Sequence, residues 1–102
     1  ATPASVSNIS TSAGIEDYNS MGATAGLMLR QSVNLCRSVI AIEILVGCDA
    51  LDHHRPLKSG NAVESMYEKV REVVPVRSCD RSSSDDISAI EVLLGKSRSR
   101  LN

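Results

Sequence analysis

The sequence predicts an all-α chain with one very long central helix and two shorter helices, part of a larger helical bundle. Three observations predict it. No segment alternates polar and apolar residues with the period of two that a half-buried strand needs. From Gly14 to Asp52 there is no proline, and apolar residues recur at steps of three and four. The chain is 42% hydrophobic but only 2% aromatic, without Trp or Phe. Its core must therefore be built from Val, Ile, Leu, Met and Ala, which suit helix packing better than a β-sandwich.

Residues 1–13, rich in Ser and Thr with Pro3 near the start, read as a lead-in loop. The long helix is expected over residues 14–52. It carries two apolar stripes, one through Met21, Ala25, Met28, Ser32, Leu35, Val39, Ile42 and Val46, the other through Leu29, Val33, Cys36, Ile40, Ile44, Gly47 and Leu51. One stripe would suit a helix lying on a surface; two require contact on more than one side. Pro56 disfavours helix at Arg55 and ends it. A second helix is expected over 61–74, with Asn61 as N-cap, Glu64 completing a capping box, and Val63, Met66 or Tyr67, Val70 and Val73 or Val74 as its apolar face. A third is expected over 85–94. Ser84 would cap it, Asp85 and Asp86 would favour its dipole, and Gly95 would end it. The tail from Lys96 is basic.

Length decides the context of these helices. A helix from Gly14 to Asp52 would be roughly 55–60 Å long, whereas a compact chain of this size has a radius of gyration of about 13 Å. Two short helices cannot cover both faces of such a rod. Burying one aliphatic side chain contributes about 1.5–3 kcal/mol, so a dozen left in water would sacrifice tens of kcal/mol. The chain is expected either to self-associate or to be one part of a larger polypeptide.

A net charge of −1 gives no strong field towards nucleic acid or an anionic membrane. No signal peptide or spanning segment is evident. Three cysteines without CxxC spacing make a poor disulfide framework, and the expectation is a soluble cytoplasmic protein. Cys36 and Cys48 read as packing thiols; Cys79, among charged residues, is the more reactive. His53 and His54 cannot easily chelate one ion together, and Asp49 with His53 does not close a site, so no metal is expected. Glu43 inside "VIAIEILVG" would need a partner from another helix or subunit if buried. Arg71, Arg77 and Arg81 read as solvated or interface charges.

The most polar stretch is "SAGIEDYNSMGATAG", residues 12–26, at the head of the long helix. Glu16 and Asp17 could be first-turn acids favoured by the helix dipole. The wider pattern gives a second reading. "PASVSNISTSAGIEDYNSMGATAG", then "VIAIEIL", "ALDHHRPLKSG" and "VREVVPVRSCDR", with "DI" beyond, resembles in order and spacing the C-terminal part of the histidine and aromatic amino-acid ammonia-lyases. The resemblance runs from Pro3 to about Leu94 and rests on several linked motifs.

The resemblance implies an enzyme that eliminates ammonia from an α-amino acid with methylideneimidazolone (MIO), an electrophile made from an internal Ala-Ser-Gly. It implies a mostly helical homotetramer with long helices at its centre and active sites assembled from more than one subunit. It makes residues 1–102 a single C-terminal helical segment. In the histidine branch the segment resembling "IEDYNSM" carries a Glu that reaches the active site, where the phenylalanine and tyrosine branch usually has Gln. That position is Glu16, which implies L-histidine as substrate and a catalytic and substrate-binding role for Glu16. Ile15 departs from the pattern, since many relatives have Gln there. Asp17 reads as structural; Tyr18 and Asn19 read as packing residues. No Ala-Ser-Gly occurs in the chain; the nearest strings are Ser12-Ala13-Gly14 and Lys58-Ser59-Gly60. The 102 residues alone are therefore expected to be inactive, with the remainder of a lyase polypeptide and its other subunits as partners. The rival readings are a non-enzymatic helical oligomerisation or interaction module, and a segment of an aromatic amino-acid lyase or 2,3-aminomutase.

Overall fold

A computed structural model describes Pro3 and residues 22–99, with side chains through Lys96. Among the described residues there are three helices and no strand: α1 Gly22–His53, α2 Asn61–Val73 and α3 Ser83–Ser99. The first eight residues of the expected long helix, 14–21, lie outside the described residues. The chain divides into two compact units, Ala1–Cys36 and Arg37–Asn102.

The described part of the first unit is helical and largely exposed. Leu27, Leu29 and Leu35 are each about two-thirds accessible. Ser32 donates to the Met28 carbonyl at 3.0 Å, a local bond within the helix. Cys36, expected to pack, is exposed, because the face it occupies meets no other described element of its unit.

The second unit holds the core. Ala41, Leu45 and Cys48 of α1, spaced by four and three, meet Val70 and Val74 around the end of α2 and Ile90 of α3. Ile44, Tyr67, Ile87, Ala89, Leu93 and Leu94 pack around them, partly buried. The covered face of α1 belongs to neither stripe read from the sequence. Val39, Ile40, Ile42 and Val46 remain exposed, and Ile44 and Leu51 are half-buried. This part of α1 is therefore apolar on three sides and is covered on one.

Pro56 follows a tight exit from α1. The His54 N–H donates to the Leu51 carbonyl at 3.0 Å and the Leu57 N–H to the His54 carbonyl at 2.9 Å. α2 starts differently from the expected capping box. Gly60 is its N-cap, in extended conformation, and no side chain caps it. Asn61 is already helical, and Glu64 reaches back to Ser59. α2 stops one residue before the expected end. Val74 is extended, at φ −129° and ψ 107°, as Pro75 demands of the residue before it. The face that packs runs through Tyr67, Val70 and Val74, while Val63, Met66 and Val73 stay exposed.

α3 is longer than expected at both ends. The Ser84 N–H donates to the Ser82 hydroxyl at 3.4 Å, so Ser82 caps the turn that Ser84 was expected to cap. The helix continues through Gly95 to Ser99. Gly95 has ordinary helical backbone, and Leu93 and Leu94 pack against the core just before it, which holds the turn that glycine alone would weaken.

Candidate functional site

Glu16, the catalytic and substrate-binding residue expected from the sequence, lies outside the described residues, as do Asp17, Tyr18 and Asn19. The polar chemistry that is described gathers instead where the end of α1 meets α2 and the start of α3.

Asp49 and Asp52 stand three residues apart near the end of α1, so both carboxylates face the same way. Arg71, in the last turn of α2, donates to both of them through Nη2, to Asp49 at 3.0 Å and to Asp52 at closer range. Tyr67, one turn earlier on α2, donates its hydroxyl to the other oxygen of Asp52. Arg77 lies 3.8 Å from Asp49 and 3.8 Å from Asp86, and donates to the Ser83 hydroxyl at 3.0 Å. Arg81 donates to Asp86 at 3.1 Å and to the Pro75 carbonyl at 2.6 Å. Three aspartates and three arginines thus make one continuous, charge-balanced chain. Arg71, Arg77 and Arg81 were expected to be solvated or interface charges. They are internal partners of acids, because α2 and its connector bring them onto the carboxylates of α1 and α3. Asp86, expected as a dipole acid, is in the first turn of α3 as foreseen but is also buried in this chain.

A second polar cluster fastens the connector to α2. Arg55 binds Glu64 through both ends of its fork, at 2.8 and 2.9 Å. Glu64 also accepts from the Ser59 N–H at 2.9 Å and its hydroxyl at 2.8 Å. Arg55, and after it Ser59, hold the Glu64 carboxyl down at a pKa of about 2. Arg55 also stacks 4.4 Å from the centre of the Tyr67 ring, a cation–π contact that links the two clusters through Tyr67.

What these groups can do chemically is limited. Every carboxylate in the two clusters is held by a guanidinium, and the Tyr67 hydroxyl donates a hydrogen bond to Asp52, which Arg71 also binds. None is poised as a free base beside a nucleophile. The arrangement fixes the direction in which α1 ends and is a positioning device. Its signal in the sequence was the Asp49/Asp52 spacing, but Asp49 was weighed only with His53, as an incomplete metal site, and not as the acceptor of an arginine.

Next to this chain is a cleft of about 300 Å³ lined by Asp49, Asp52, His53, Val76, Arg77, Ser78, Cys79 and Asp80. Cys79 is exposed there, and His53 and His54 are exposed at the end of α1. Among the described residues, no three His, Cys, Asp or Glu side chains are grouped to hold a metal ion, and no helix is long and apolar enough to cross a membrane. Cys48 is buried, and its desolvation pushes the thiol pKa up against the opposing pull of Arg71. That keeps it protonated and unreactive. Glu43, expected to need a buried partner, is exposed in this chain, since it lies off the covered face of α1.

Comparison with known proteins adds what the described residues lack. The pattern of a family described as aromatic amino acid lyase matches residues 1–72. A histidine ammonia-lyase from Myxococcus xanthus is 49% identical over 92 residues, which are 90% of this chain and 18% of that protein. One from Stigmatella aurantiaca is 44% identical over the same shares. Among solved structures, the crystal structure of histidine ammonia-lyase from Trypanosoma cruzi superposes with a TM-score of 0.84 at 37% identity. That match covers 92% of this chain and 19% of that one. The chain spans about a fifth of the length of the relatives it matches.

Proposed function

The chain belongs to the aromatic amino acid lyase family, and from that premise we propose that it is the C-terminal portion of an ammonia-lyase converting L-histidine to urocanate and ammonia. The observation that carries the reading is the identity of 44–49% to histidine ammonia-lyases across 90% of the chain. A non-enzymatic helical module would account for the apolar α1 equally well, but not for that likeness, and the named relatives favour histidine over phenylalanine or tyrosine.

The reaction breaks one C–N and one C–H bond and forms a C=C bond. Family resemblance assigns an electrophile, MIO, to draw electrons from the substrate. The residues present do not fit its precursor. The nearest string in the described part, Lys58-Ser59-Gly60, lacks the alanine, and both the N–H and the hydroxyl of Ser59 are engaged by Glu64. That group would come from another part of the intact lyase. For this chain's own residues the proposal is narrower. Glu16, six residues ahead of the described helix in sequence, presents a carboxylate to the ammonium or imidazole of histidine. In general a helix N-terminus favours the charged form of a carboxylate and desolvation opposes it. Those opposed effects suit a group that binds a cation or shuttles a proton. α1 contributes its uncovered apolar faces to a homotetramer, and the whole enzyme works in the cytoplasm.

The test is Glu16→Gln in the intact enzyme. The expected outcome is an assembled protein whose turnover of histidine falls at least about a hundredfold, the low end of what a positioned acid or base contributes. Unchanged kcat and KM for histidine would remove Glu16 from the site.

A further inference from the structure

We draw no further inference here: the strongest candidate, the apolar groove between the C-terminal half of α1 and α2 lined by Ile44, Gly47, Leu51, Val63 and Met66, carries nothing because no feature of the structure shows what covers it.

Discussion

Arg71 reaches two carboxylates one helical turn apart, Asp49 and Asp52, from a side chain only 10% exposed. Arg→Met at this position keeps an apolar stem and removes the guanidinium, with its cation–π contact 5.4 Å from the centre of the Tyr67 ring. Asp52 would then keep only the Tyr67 hydroxyl and Asp49 only the longer contact to Arg77. Breaking a largely buried pair from one side costs about 3 kcal/mol, and Arg71→Met is expected to lower unfolding stability by that order in denaturant titration. A loss below about 0.5 kcal/mol would mean that water replaces the guanidinium freely. Glu64 behaves differently because its shift is tied to pH. Its folded pKa of about 2 lies below the ordinary carboxylate value of about 4.3. The charged form is therefore the one the fold favours. The stability it contributes is fully present above about pH 4.3 and is lost as pH falls towards 2. Comparing the protein with its Glu64→Gln variant, the difference in denaturation midpoint should be constant from pH 7 to about 5 and should shrink steadily as pH falls towards 2. A difference that stayed constant from pH 5 to 2 would show that Glu64 acts by packing rather than by charge.

At the scale of elements, the three helices were legible because their period and their punctuation agree. α1 stops at His53, just ahead of Arg55-Pro56 as the sequence implied, and Pro75 ends α2 by holding Val74 extended. The boundaries that were misread involve weaker signals. Gly95 was taken as a stop because glycine so often follows a helix end, yet Leu93 and Leu94 pack and carry α3 past it. Nothing stands within 4 Å of where a Cβ would be at Gly95, so Gly95→Ala should stabilise α3 by about 0.5–1 kcal/mol; a destabilised variant would reveal a neighbour that the chain alone lacks. The covered side of α1 was also not legible. Two stripes could be drawn on it, but α2 and α3 cover a third, through Ala41, Leu45 and Cys48. On a helix that is apolar all round, periodicity cannot choose a face. Ile90 and Val92 of α3 make the converse comparison. Ile90 is fully buried and Val92 is 58% exposed. Ile90→Ala should cost about 2–5 kcal/mol and Val92→Ala within about 0.5 kcal/mol, as read by thermal unfolding. Equal losses would mean that α3 is covered on its outer side as well.

For the whole molecule, the length argument and the comparisons meet. The sequence implied a helix that its own chain could not cover. The fold leaves Leu27, Leu29, Leu35, Val39, Ile42 and Val46 accessible, and the relatives are about five times longer. The polar network at the end of α1 was not legible, because the partners of Asp49 and Asp52 lie 15 to 28 residues away in sequence and meet them only once α2 and its connector fold back. The candidate site was legible only through resemblance: Glu16 could be singled out from the linked motifs around it, and its role belongs to the proposed function. On the proposed function, this chain is one part of a histidine-converting lyase and has no activity alone. The most direct measurement is urocanate formation from L-histidine by the intact polypeptide that carries this sequence, beside the 102-residue chain and beside phenylalanine and tyrosine as substrates. Urocanate and ammonia are expected from histidine with the intact protein, with little turnover of the other two and none by the chain alone. Turnover by the chain alone, or an intact protein that acts on phenylalanine or tyrosine and leaves histidine untouched, would contradict it.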